Sequence, residues 1–184
     1  MILPDKMDSF LDSQALQSSL SAALRQNSPY SAKKGKEANS ARSRFRDCWK
    51  QLLRDRARAY RSEKSWGNYY RDVCQIQKKL CTAVPKKDRK YFKKEVRFSL
   101  AQKSFSLYLK YRWCHGKIKE PPFFPLDFVV LNKWRRIHPP KGKVLNRWTQ
   151  ITKDQFRLLH NPKEKNPARW ELAFWNEWQR KNEE

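Results

Sequence analysis

The sequence predicts an all-α protein: a compact bundle of about eight short-to-medium helices with no substantial sheet. Three observations predict it. Apolar residues recur at helical spacing through most of the 184 residues. The breaks between these runs are prolines and short polar clusters. The chain has only 4 glycines, too few for a turn-rich β-sandwich or barrel. Phe128-Val-Val-Leu131 alone has strand composition, and it is too short to compete.

Taken in order, Phe10, Leu16, Leu20, Ala23 and Leu24 predict a helix over 9–26 whose other face is Ser and Gln, ended by Asn27-Ser-Pro-Tyr30. Residues 31–40 (SAKKGKEANS) are small, polar and basic and read as a linker or arm. Phe45, Trp49, Leu52, Leu53 and Tyr60 define a helix over 41–62, with arginines on its other faces. Trp66, Tyr69, Tyr70, Val73, Ile76 and Leu80 define the next, 65–83, which Pro85 ends because proline lacks a donor and restricts its predecessor. The basic stretch 86–97 has one apolar edge, Tyr91, Phe92 and Val96, and reads as a short surface helix.

A helix over 99–113 carries Leu100, Phe105, Tyr108, Leu109 and Trp113, and a proline-containing loop follows from His115 to Pro125. Asp127 is a good N-cap residue for the helix 127–137. Thr152-Lys-Asp-Gln155 is a capping box opening a helix to His160. Asn166-Pro167, an N-cap followed by proline, opens the last helix through Trp178. The organisation expected is an N-terminal helix and polar, basic linker (1–40), less firmly attached, followed by a basic all-α nucleic-acid-binding domain (41–184).

The charge distribution points to a partner. Lys and Arg number 42 against 18 Asp and Glu, a net charge of +24, yet aromatics make up 14% of the chain and include 8 Trp. Basic disordered tails lack large apolar groups, so that class is excluded. Residues 1–30 hold two basic and three acidic groups and residues 161–184 five of each, so the block 31–160 carries +25. Such density is relieved when phosphates replace condensed counterions, which makes nucleic acid the expected partner. The candidate contacts are Arg42, Arg46, Arg54, Arg58 and Arg61; Lys86, Lys87, Arg89, Lys90, Lys93 and Lys94; and Lys133, Arg135, Arg136, Lys141, Lys143 and Arg147.

Aromatic residues adjoin cations at Arg112-Trp113, Trp134-Arg135-Arg136, Arg147-Trp148 and Arg169-Trp170. Such pairs suit single strands, whose bases stack while their phosphates pair. On amphipathic helices most of these tryptophans are core residues; Trp148, beside a loop, is the one expected to be available.

Enzymatic and metal chemistry find less in the sequence. Cys74 and Cys81 are seven apart, Cys114 and His115 are adjacent, and His138 and His160 lie far off, so no metal-ligand spacing exists. Neither metal nor cofactor is expected, and the cysteines read as buried core residues. No glycine-rich phosphate loop is present. No apolar run approaches the ~20 residues that span a bilayer, and Met1–Gln14 has neither a basic nor an apolar signal region. The expectation is an intracellular protein, cytoplasmic or nucleoid-associated, without a membrane partner. The polar-faced N-terminal helix and near-neutral C-terminal helix suit contacts with other protein subunits.

One block carries a sharper alternative. Gln102-Lys103 lies near the start of the helix 99–113, and Pro125-Leu126-Asp127 stands at the mouth of the next, with Asp127 24 residues on from Lys103. The segment 98–137 resembles the helix–hairpin–helix DNA glycosylases, in which a helix starts near a lysine and a later Pro-Val-Asp places a carboxylate at a helix mouth. The resemblance implies a DNA glycosylase in which Lys103 forms a Schiff base with the sugar and Asp127 assists. The sequence departs from that pattern before the lysine, where Arg97-Phe-Ser-Leu-Ala-Gln102 has no glycine and so lacks the hairpin whose amides bind backbone phosphate. Helical patterning alone makes Lys103 a solvated lysine and Asp127 an N-cap. The leading expectation is therefore a non-catalytic nucleic-acid-binding subunit of a ribonucleoprotein or DNA-processing assembly, with the glycosylase as the alternative.

Overall fold

The computed structural model describes residues 4–25, 28–93, 95–144 and 147–183. The protein is all-α. Seven α-helices follow one another: α1 (Pro4–Leu24), α2 (Lys36–Ala57), α3 (Trp66–Thr82), α4 (Phe98–Cys114), α5 (Phe128–Ile137), α6 (Lys153–Leu158) and α7 (Pro167–Glu183). Short 3-10 turns lie at Arg58–Arg61, Lys86–Tyr91 and Trp148–Gln150. No sheet forms among the described residues; a single antiparallel bridge joins Tyr30 and Phe92.

The capping signals act as expected at two helix starts: Asp127 and Thr152 each accept a backbone N–H of the first turn, and Thr152 and Gln155 complete the capping box. Ser65 caps α3 in the same way. Gly35, at φ 114°, leads into α2, and Gly116, at φ 67°, ends α4 in the left-handed region that glycine enters at little cost.

Helix α4 is the hub. Phe98 to Ser106 are all buried, as are Tyr108 and Leu109. Helices α1, α2 and α3 all pack on it, α1 most extensively. Around it lie the fully buried aromatics Trp49, Tyr60, Tyr69, Phe123, Phe124, Trp134 and Phe156, which pack with its own Phe105. Fully burying side chains of this size contributes roughly 1.5–3 kcal/mol each. Phe123 and Phe124 come from the proline-containing loop, so that loop fills the core. Trp134 Nε1 donates to Leu159 O at 2.8 Å, which fastens α5 to the end of α6 and leaves the indole with no unmet donor.

Four sequence expectations are corrected. Helix α1 is not a loose arm: Ala15, Leu16, Leu20 and Ala23 are 3% exposed or less and join the common core. Its Ala and Ser residues let it approach α4 closely. Helix α2 begins at Lys36, so residues 36–40 belong to a helix. The stretch 86–97 is a 3-10 turn only as far as Tyr91, because the chain then pairs with the segment before α2: Ser31 N–H donates to Tyr91 O and Lys93 N–H to Pro29 O. The cysteines are not core residues: Cys48, Cys81 and Cys114 are exposed and Cys74 is half-buried, since they fall on the outer faces of their helices.

Asp12 ties α1 to its neighbours. Its carboxylate accepts from Tyr108 Oη at 2.6 Å, Arg54 Nε at 2.8 Å and Arg112 Nη1 at 3.0 Å. Burial opposes its charge, but the hydrogen bonds from Tyr108 and Arg54 and the charge of Arg112 outweigh burial and hold its pKa below the ordinary 3.8. A carboxylate lowered in the folded state stabilises the fold above its unfolded pKa, and that contribution is lost as pH falls through the folded value. Asp12→Asn is expected to cost roughly 1–2 kcal/mol at neutral pH in urea unfolding. The variant should also lose stability less steeply than the parent between about pH 5 and 3; parallel pH profiles would show that Asp12 carries no such linkage.

Candidate functional site

The predicted contact residues fall on separate surfaces, and ion pairs consume some of them. The first surface joins the start of α2 to the Lys86–Tyr91 turn. Arg44 pairs with the buried Asp88 at 2.8 Å, and Tyr91 Oη donates to Glu37, so the two segments are locked together by the few acidic groups present. Lys90 lies 3.7 Å from Glu37 and over the Tyr91 ring. Arg46, Lys86, Lys87 and Arg89 remain exposed beside them. Arg42 is less free: Nη2 donates to Ser31 O at 2.9 Å and Lys33 O at 2.6 Å, and the guanidinium lies 5.2 Å from the Tyr30 ring centre. Lys93 Nζ donates to Ser28 O at 2.7 Å. Lys94 lies outside the described residues.

The second surface is a hollow of about 190 Å3 at the end of α2, where Arg54, Arg58 and Arg61 meet Arg112 of α4 above Asp12 and Tyr108. Arg58 and Arg61 are exposed, and Arg58 lies 3.5 Å from Asp55 at the surface. The hollow brings together three of the predicted arginines. Arg112, which the Arg112-Trp113 pair signalled only weakly, completes it.

On the third segment Lys133, Arg136, Lys141, Lys143 and Arg147 are exposed and Arg135 is half-buried. Trp148 corrects the sequence expectation: it is only 5% exposed and cannot stack on a base. The turn that carries it folds over the start of α4, where Ser99 Oγ donates to Thr149 O at 2.8 Å. The Lys103 ammonium lies 5.3 Å from the Trp148 ring centre.

Lys103 is the largest departure from expectation. It is buried, and its Nζ lies 3.4 Å from Asp127 Oδ2. Asp127 Oδ1 meanwhile accepts from Val130 N at 2.8 Å, so one carboxylate both caps α5 and faces the lysine. Burial lowers the Lys103 pKa from its ordinary value, and Asp127 partly opposes that shift. Gln102 makes the convergence possible. It is 1% exposed; its Nε2 donates to Phe124 O at 2.9 Å and its Oε1 accepts from Leu126 N at 3.3 Å. That two-ended clasp holds the loop on α4 and sets Asp127 beside Lys103. Farther along α4, Lys110 Nζ lies within 2.9 Å of both carboxylate oxygens of Glu171 on α7. Burial raises the Glu171 pKa against the pull of Lys110. Sequence reasoning missed Gln102 and Glu171, because a lone polar residue on a helix gives no sign of where its partner lies.

A cleft of about 690 Å3 opens near the C-terminal end of α4, between the proline-containing loop and the start of α7. Trp66, Trp113 and His160 line it, with Pro121, Pro122 and Pro162. The His160 ring stacks on Trp66 at 4.5 Å and 3°. Burial lowers the His160 pKa, which favours the neutral ring. No group of three or more His, Cys, Asp or Glu among the described residues is arranged to hold a metal ion, and no helix among them is long and apolar enough to cross a membrane.

Gln102→Leu keeps the side-chain volume and removes the clasp, stranding Phe124 O and Leu126 N. A loss of roughly 2–4 kcal/mol is expected in urea unfolding, from two buried groups left unmet; a change under about 0.5 kcal/mol would show that the clasp does not hold the loop.

Compared with known proteins, the chain matches no family model, no curated protein and no solved structure.

Proposed function

We propose that this protein binds nucleic acid through its basic helical surface, as a non-catalytic subunit of a ribonucleoprotein or DNA-processing assembly. The observation that carries the reading is the first surface. Two segments are locked together by Arg44–Asp88, 44 residues apart in the chain, and by Tyr91–Glu37, 54 residues apart. Exposed beside them stand Arg46, Lys86, Lys87 and Arg89, with Lys90 exposed as well and paired with Glu37. Charges of one sign on adjoining elements raise the local potential and draw a polyanion. Such contacts are made to phosphates, so they position the ligand without reading its sequence. Arg42 and Lys93 contribute chiefly by holding the 28–33 segment against this surface. Contacts with other subunits are assigned to α1 and α7, on which Met7 and Phe10 of α1 are exposed and Trp175 and Trp178 of α7 are only partly buried.

Fluorescence anisotropy with labelled duplex and single-stranded probes tests the reading. Affinity is expected to fall steeply with salt, with a log–log slope of about −0.7 to −0.9 per phosphate neutralised. Reversal of charge at Lys86, Lys87, Arg89 and Lys90 should weaken binding to unrelated sequences alike and leave the helical circular dichroism unchanged. Affinity that is flat in salt would end the proposal.

The Lys103–Asp127 convergence favours a second reading, a DNA glycosylase. A deprotonated Lys103 Nζ would attack C1′ of a flipped-out nucleotide. The N-glycosidic bond would break, the base leaving with the bonding pair and taking up a proton while the amine gives one up. Opening of the sugar ring would then leave a protonated imine. Burial of Lys103 favours the free amine that this step needs, and in this reading Asp127, 3.4 Å from Nζ, would steady the positive charge developing on the sugar. Duplexes carrying oxidised, alkylated or deaminated bases, incubated with borohydride, distinguish the readings. A covalent adduct abolished by Lys103→Gln would establish the enzyme; a blank across the lesions leaves Lys103–Asp127 as a buried ion pair that fixes α5 to α4.

A further inference from the structure

The arginine hollow and the aromatic cleft adjoin each other. Ile118, in the loop after α4, lines both. Arg112 faces the hollow and its neighbour Trp113 the cleft; Arg61 lies on the hollow side and Lys64 on the cleft side. The loop between them is pinned where Lys119 N–H donates to Tyr60 O at 2.8 Å. We propose that the two together form a single-strand site, in which the arginine hollow takes a backbone phosphate and the aromatic cleft takes an unpaired base. The proposal rests on the nucleic-acid reading above and narrows its ligand to single-stranded nucleic acid.

The hollow suits a phosphate. Arg54 and Arg112 are held by Asp12 at 2.8 and 3.0 Å, which fixes their guanidinium planes and leaves each with further N–H donors. Arg58 and Arg61 stand at its exposed rim. Planar, pre-set guanidinium groups recognise phosphate oxygens through paired hydrogen bonds. Among the described residues Asp12 is the one acidic group lining it, so the hollow stays strongly positive.

The cleft suits a base. Its walls carry flat groups: the Trp66–His160 stack, Trp113, and four prolines, Pro121, Pro122, Pro162 and Pro167. Among the described residues Lys64, Lys119 and Lys165 at its margin enter no ion pair, whereas Arg169 is bound to Glu120 at 2.8 Å and braces the loop against α7. Glu120 Oε1 is buried and has no hydrogen-bond partner among the described residues, an acceptor in the wall that a base N–H would satisfy. A duplex cannot use such a cleft, because its bases are stacked inside and its outer edge is backbone; an unpaired base can, since every base has a π-face to stack.

The test uses the full chain, a labelled 15-nucleotide oligo-dT and a labelled 15-base-pair duplex of mixed sequence. Trp113→Leu keeps an apolar side chain and removes the aromatic face. It is expected to weaken oligo-dT binding by roughly five- to a hundredfold, the range of one lost base stack, and duplex binding by less than about twofold. Arg58→Ala/Arg61→Ala changes only exposed side chains, so it guards against misfolding of the tryptophan variant. It should weaken oligo-dT binding and reduce the salt slope by about one to two. Unchanged oligo-dT affinity in both variants, with charge reversal at Lys86–Lys90 still abolishing duplex binding, overturns the single-strand site and leaves the basic-surface reading standing. A parent protein that binds neither probe overturns both.

Discussion

A polar helix buried on all sides is the constraint from which the rest of this structure follows. Over its first three turns α4 sets Ser99, Gln102, Lys103, Ser104 and Ser106 among buried apolar residues. Each such group costs a few kcal/mol if left unmet, so each calls in a partner from a different part of the chain. Ser99 takes the carbonyl of Thr149; Gln102 takes the loop at Phe124 and Leu126; Lys103 takes Asp127. Ser104 accepts from Trp49 Nε1 at 3.1 Å, and Ser106 pairs with Tyr69. The hydrophobic effect brings α1, α2 and α3 onto α4 without fixing their register. Directional bonds to these five residues supply the register, and the same bonds decide where the loop and α5 must lie.

Charge is handled differently inside and outside. The interior holds two lysine–carboxylate pairs on α4, Lys103–Asp127 and Lys110–Glu171, each at the foot of another helix. Buried pairs of this kind contribute little net stability against apolar replacements but penalise any arrangement that separates them. They therefore select the docking of α5 and α7. Nearer the surface, largely buried carboxylates hold arginines in structural ion pairs. Asp12 joins α1 to Arg54 and Arg112, Asp72 meets Arg56 and Tyr60, and Asp88 meets Arg44. A chain with 18 acidic residues that places so many in structural ion pairs leaves its excess of cations outward. The positive surface is thus a consequence of how the fold uses its acids as well as of composition.

The sequence by itself determined the order of the α-helices and many of their ends, but not the start of α2 at Lys36 or the 3-10 turn Lys86–Tyr91 that it read as part of a helix. That order and those ends depend on apolar spacing, prolines and capping side chains, all of which act within a few residues. It also determined the excess positive charge and the absence of metal-ligand spacing. It misjudged Trp148, Lys103, the cysteines and α1, and all for one reason: whether a side chain is buried depends on what packs over it, and that partner is distant in the chain. Trp148 looked available because it borders a loop, yet Thr149 carries that turn onto Ser99 fifty residues away. Lys103 looked solvated because lysines on helices usually are, and only the loop clasped by Gln102 closes over it. The 24-residue spacing of Lys103 and Asp127 was legible; that the two side chains meet was decided by tertiary structure alone, since one buried glutamine sets the path of the chain between them. The adjacency of the arginine hollow and the aromatic cleft was likewise invisible in sequence, because it depends on residues 54–66, 112–122 and 160–169 being folded to one place, where long-range packing on α4 overrides the short-range signals that the sequence carries.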